Sequence, residues 1–274
     1  MEMLNPKPPS GLPVNRRQWL KSTAALTAGW LLLETPGQAW AWPGSSDEQT
    51  GAVRSENVQY ASASFKIDAY VASPAAQGVH PSLVLLHDDQ GLNQHTREVV
   101  GRFAAAGFYA MAPDLLSRSG GTRGNSAGQV AEAIAGISTD ATVEDLRAGY
   151  SYLRTTLNPG ADRVSAVGLG WGGWRTYLLA ANVAGLSRAV VYSGNAPGDG
   201  LKDIEASFLA HYGQFDFRMA GNAVWLQKEM GKRFEYSVYP AVDHGFYDNA
   251  SPQYNAEAAK LAWSRTLDFL RSAA

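Results

Sequence analysis

The chain has 274 residues, 45% of them apolar, and its 23 basic and 25 acidic side chains leave a net charge of −2. That balance, with no basic run longer than a pair, excludes a nucleic-acid partner bound through phosphate neutralisation. Cysteine is absent, which excludes disulfides, a thiol-linked lipid anchor and a thiol nucleophile.

The first segment in chain order reads as an export signal. Asn15-Arg16-Arg17-Gln18-Trp19-Leu20-Lys21 resembles a twin-arginine motif, an apolar run follows from Ser22 to Leu33, and Ala39-Trp40-Ala41 supplies a small-x-small cleavage pattern. That run is too short to span a membrane, which takes about twenty apolar residues. Residues 1–41 are therefore expected to leave through the twin-arginine export machinery, towards the periplasm, with no stable membrane anchor. The remaining 233 residues, with 19 basic and 23 acidic side chains, suit one large domain. Residues 42–57, rich in Ser, Gly, Asp and Glu, read as a flexible lead-in to a domain over 58–274.

Phe65 to Val71 alternates at period two, as a half-exposed strand does. The runs at 82–87, 109–112, 164–169, 189–193, 208–213 and 234–239 are short and nearly continuously apolar. Such runs suit parallel strands buried on both faces. Helical patterns at 96–107, 142–157 (with Asp140 as N-cap), 221–231 and 255–272 lie between and after them. Alternating strands and helices predict an α/β fold, a twisted and mostly parallel sheet with helices on both faces. The connection from Leu115 to Ile137 carries five glycines and reads as a long loop, of the kind that is often functional.

"AVGLGWGGWR", residues 166–175, reads two ways. Gly168, Gly170 and Gly173 form a G-x-G-x-x-G, but no acidic residue or arginine ends the next strand to take a ribose or its phosphate, so no cofactor is expected. Gly168, Gly170 and Gly172 also frame a nucleophile elbow, a sharp strand-to-helix turn, with Gly170 in the central place. An elbow predicts an acid and then a histidine, each just past a later strand. Asp216 follows the run at 208–213 and His244 follows that at 234–239. Ser193 is a weaker candidate nucleophile, better read as a turn hydroxyl. His87, Asp88, Asp89 and His95 match no metal-ligand spacing, so no metal is expected.

With these residues in view, the sequence resembles the dienelactone hydrolase (carboxymethylenebutenolidase) family of α/β-hydrolases. The likeness rests on "LVLLHDDQGLNQHTREVVGRFAAAGFYAMAPDLLSR", "VGLGWGG", "HYGQFD" and "DHGFYDNASPQYNAEAAKLAWSRTLDFL". The resemblance implies a triad of elbow cysteine, aspartate and histidine, the last two falling on Asp216 and His244. It also implies an arginine on the substrate carboxylate, Arg118, and a glutamate where Asp88 stands. The chain departs from that pattern twice, with Gly170 for the cysteine and Asp88 for the glutamate. The backbone N–H of Trp171 remains available to an oxyanion. Two functions are expected of such a chain. One is slow, water-mediated hydrolysis of a small carboxylate-bearing ester or lactone; the other is non-catalytic binding of an anionic ligand or a partner in the old pocket.

Overall fold

The structure, a computed structural model, describes residues 52–272. The export signal, its cleavage pattern and the lead-in up to residue 51 lie outside the described residues. The strands are β1 (Val53–Ser62), β2 (Phe65–Pro74), β3 (Ser82–Leu86), β4 (Tyr109–Pro113), β5 (Val164–Leu169), β6 (Leu186–Tyr192), β7 (Ser207–Gly213) and β8 (Phe234–Tyr239). The helices are α1 (Gln94–Ala105), α2 (Ala127–Gly136), α3 (Thr139–Tyr152), α4 (Trp171–Asn182), α5 (Phe217–Ala220), α6 (Ala223–Met230) and α7 (Ala256–Arg271).

All eight strands join one sheet in the order β1-β2-β4-β3-β5-β6-β7-β8. β1 and β2 form an antiparallel hairpin, β2 meets β4 antiparallel, and every later pairing is parallel. The continuous apolar runs follow from this position, because alternate residues point to opposite faces and both faces are covered. Val84, Leu86, Ala166, Val191 and Phe208 pack with Leu146 and Tyr150 of α3, Tyr177 and Leu179 of α4 and Leu226 of α6. Their neighbours Leu83, Leu85, Val167, Val190 and Leu209 pack on the other side with Val100 and Phe103 of α1 and Ala262, Trp263 and Leu267 of α7.

Three expectations need correction. Val53–Asn57 belong to β1 rather than to a flexible lead-in, paired residue for residue with Asn57↔Tyr70 through Val53↔Pro74 of β2. Their side chains are exposed on an edge strand, so the ladder of β2 fixes them and no apolar alternation marks them. The cap of α3 is Ser138, whose hydroxyl accepts from Ala141 N–H at 3.1 Å; Asp140 stands inside the first turn, where its charge suits the helix dipole. The connection from Leu115 to Ile137 is not one long loop. It contains a short 3₁₀ turn at Ser117–Ser119 and the helix α2, started by a capping box between Ser126 and Gln129.

Candidate functional site

Parallel strands end on one edge of the sheet, and the loops beyond β3, β5, β7 and β8 assemble there. The first contribution comes after β3. His87 is fully buried; its Nδ1 lies 2.7 Å from the Asp88 carbonyl and its Nε2 accepts from Leu115 N–H at 3.1 Å. A ring that accepts at Nε2 must donate at Nδ1, so His87 is neutral, and burial lowers its pKa accordingly. This pair of bonds fixes the chain direction into Asp88. The Asp88 side chain is buried, which pushes its pKa up to about 6; Gln90 N–H, donating to Oδ1 at 2.8 Å, opposes that rise, and the nearby Asp89 and Asp248 add to it.

The second contribution is the turn from β5 into α4. Gly170 has φ +47° and ψ −109°, donates its N–H to Tyr192 O at 2.8 Å and accepts from Gly173 N–H at 3.0 Å. Such a φ favours glycine over any side chain. Gly172 serves a different end, since a Cβ there would collide with the carbonyl oxygens of Leu86 and His87. The glycines therefore close a helix start onto the end of β3, which accounts for the fingerprint without a dinucleotide. Trp171 opens α4, so its N–H lies in the first turn, where helix donors have no intrahelical acceptor. Its ring stacks on His87 at 5.4 Å between centroids.

Asp216 and His244 come from the loops after β7 and β8. Those loops are tied by Gln214 N–H to Tyr239 O and Phe215 N–H to Val242 O, both at 2.9 Å. The tie brings Asp216 Oδ2 within 2.8 Å of His244 Nδ1. The Asp216 side chain is 8% exposed and that of His244 51%, so the imidazole has one anchored edge and one open edge. The hydrogen bond to Asp216 raises the His244 pKa, partial burial opposes that, and the fields of Asp216, Asp89 and Asp243 add to it. A Cβ placed on Gly170 would lie 3.4 Å from the Tyr247 hydroxyl, 3.5 Å from Asp88 Cβ and 3.8 Å from His244 Nε2. The space above Gly170 is thus walled by an imidazole, a carboxylic side chain and a phenol.

Gly170, Trp171, Asp88, Asp216 and His244 therefore come together as the sequence suggested. Arg118 does not join them. Its Nε lies 2.9 Å and its terminal nitrogen 2.7 Å from the carboxylate of Asp145, the terminal nitrogen also meets Glu144 at 2.5 Å, and the guanidinium sits 4.5 Å over the Phe65 ring. Two carboxylates already compensate its charge, which corrects the expectation that it anchors a substrate carboxylate. Ser193 has a positive φ and a buried hydroxyl with no hydrogen-bond partner, so it is neither a turn hydroxyl nor a nucleophile beside a base. Tyr247 and Asp248 went unread in the sequence. Asp248 meets His95 Nδ1 at 3.1 Å, and only their position three and four residues past His244 could have drawn attention to them. A cleft of about 580 Å³, lined by Arg188, Ser207, Glu235 and Arg265 among others, opens at the beginnings of β6, β7 and β8, away from this group.

A mostly parallel sheet with an elbow after β5, an acid after β7 and a histidine after β8, in that chain order, is the arrangement of an α/β-hydrolase. Comparison with known proteins narrows the class. The sequence pattern of the dienelactone hydrolase family matches residues 67–274, and the chain belongs to that family. A provisionally named carboxymethylenebutenolidase of Methylorubrum extorquens is 29% identical over 75% of this chain and 76% of its own length. One of Synechocystis, also provisionally named, is 30% identical over 73% of this chain and 89% of its own. Among solved structures, a provisionally named dienelactone hydrolase from Klebsiella pneumoniae superposes with a TM-score of 0.74 and 25% identity, covering 81% of this chain and all of that one.

Proposed function

We propose that the chain hydrolyses small esters or lactones with a water molecule held over Gly170, where the family resemblance implies a nucleophilic cysteine. One observation carries the reading: His244 is bonded through Nδ1 to Asp216 at 2.8 Å while its Nε2 faces the space above Gly170. The lactone hydrolysis in the names of its relatives agrees with that chemistry. In the step so assigned, His244 Nε2 takes a proton from water as the water oxygen attacks the acyl carbon. The carbonyl oxygen becomes an oxyanion facing Trp171 N–H, and on collapse the leaving oxygen takes the proton from Nε2. Asp216 holds the ring and stabilises its charged form. Asp88, buried beside the same space, tunes the field there. A general base supplies about 10²–10⁴-fold, so turnover is slow beside a covalent route.

Gly170→Cys tests the reading. A Cβ at 170 meets its neighbours at ordinary contact distances, so the site has room for it. The variant is expected to gain ester hydrolysis that iodoacetamide abolishes, and to lose on the order of 1–3 kcal/mol of stability to the positive φ. In the parent chain, His244→Ala is expected to remove the slow activity. Activity untouched by that change would leave a non-catalytic binding protein as the better description.

The amino-terminal motif supports export as the setting of this activity. Replacing Arg16 and Arg17 together by lysine should leave precursor in the cytoplasm, read by cell fractionation. Processed protein outside the cytoplasm in that variant would refute the assignment.

A further inference from the structure

The leading charges acting on His244 are carboxylates. Asp216, Asp89 and Asp243 act on its imidazole, and Asp88, Asp248, Asp89 and Asp216 act on Tyr247. Asp88 in turn feels Asp89 and Asp248, with His244 as its opposing charge. The arginines that sequence proximity offers are committed elsewhere. Arg118 is held by Asp145 and Glu144. Arg175 lies 3.3 Å over the Trp171 ring and bonds Trp171 O, and its field is felt at His87.

A second observation points into the same space. Tyr247 is 7% exposed, and its hydroxyl is the first atom that a side chain on Gly170 would meet. Burial and the fields of four carboxylates raise its pKa well above the ordinary phenol value, so it keeps its proton. The hydroxyl has no hydrogen-bond partner among the described residues, and is thus a donor left for whatever occupies the site. The hydroxyl oxygen is not sealed from solvent, so a water or an oxygen of a ligand can complete it.

We propose that this site takes small esters or lactones that carry no carboxylate, prefers those bearing a cationic group, and uses the Tyr247 hydroxyl to hold an oxygen of the bound acyl group. The proposal deepens the hydrolase reading above and rests on it for the reaction, though not for the order of affinities. An anionic substituent entering here meets several carboxylates, and the Arg175 guanidinium is buried against the Trp171 ring. A cationic one meets the same charges with opposite sign, in a partly desolvated site where they are weakly screened. Like-charge exclusion of this sort is a means of specificity as effective as attraction.

Three matched p-nitrophenyl esters, with acyl chains ending in trimethylammonium, tert-butyl or carboxylate, test this directly. Expected kcat/KM falls in that order, by about tenfold or more from first to last at low salt, and the spread narrows in 0.5 M sodium chloride. Asp89→Asn, an exposed change outside the reacting group, should narrow it too. Tyr247→Phe should weaken all three esters together, leaving their order intact. If no ester turns over, the hydrolase reading fails by itself. The charge order is then read from the His244 imidazole resonances titrated with tetramethylammonium, tert-butanol and pivalate. A carboxylate ester hydrolysed, or pivalate bound, as well as its cationic counterpart would overturn the proposal.

Discussion

His244 must be neutral before it can accept a proton from water, and Asp216 makes that state harder to reach. Its pKa is raised, first by the hydrogen bond to Asp216, so the imidazolium persists to higher pH than in an ordinary histidine. Hydrolysis should therefore rise with pH along a limb centred above about 6.5, the unperturbed value. Asp216→Asn should move that limb to lower pH and lower the plateau by roughly 10²-fold or more; a limb that stays put would deny the pairing its role. Asp88 has the opposite consequence for stability. Its pKa rises on folding to about 6 because burial disfavours the charge. The folded state then holds a proton that the unfolded state releases above about 4, so the cost of burying this carboxylate grows as pH climbs from 4 through 6. Asp88→Asn, which keeps an acceptor for Gln90 N–H, should raise stability by about 2–3 kcal/mol at pH 7 and by nothing at pH 3.5, measured by urea unfolding. At this scale the sequence revealed residues whose order along the chain is itself the signal. Asp216 and His244 are such residues. Arg118 is not, because its partner Asp145 lies 27 positions away with nothing local to announce it.

At the scale of elements, that same pair fastens the start of the Leu115–Ile137 connection onto α3. Asp145 is fully buried, and its backbone carbonyl accepts from the Tyr60 hydroxyl at 3.0 Å, so the cluster reaches β1 as well. Arg118→Ala leaves a buried carboxylate without its counter-charge and should cost on the order of 3 kcal/mol. Thermal unfolding at the parent temperature would show that the pair is dispensable. Asp114 stabilises the same end of this segment, accepting from Leu116 N–H at 3.1 Å and from Thr122 N–H at 2.6 Å. The strands buried on both faces were legible because burial writes itself as an apolar run. β1 was not, since its pairing lies in the backbone and its side chains face water. α2 was hidden by Gly128 and Gly136, which weaken the helical pattern that the Ser126 cap nonetheless starts.

For the whole molecule, the architecture was readable from alternation alone, whereas the character of the site was not. Which charges meet above Gly170 depends on the strand order, and residues 88, 170, 216 and 244 become neighbours only through pairings that skip along the chain. α7 contributes to this closure twice. It covers one face of the sheet through Ala262, Trp263 and Leu267, and Thr266 joins a buried network with His211 Nε2 at 2.9 Å and the Tyr192 hydroxyl at 2.6 Å. A chain ended at Asn255 should therefore be insoluble, rather than soluble and inactive, in a test of soluble yield on expression. The same dependence has a consequence in time. During synthesis, Leu83, Leu85, Val167 and Val190 leave the ribosome long before the helix that shelters them. A nascent chain of this protein carries an open apolar surface through most of its translation, and would engage holding chaperones until its last helix emerges.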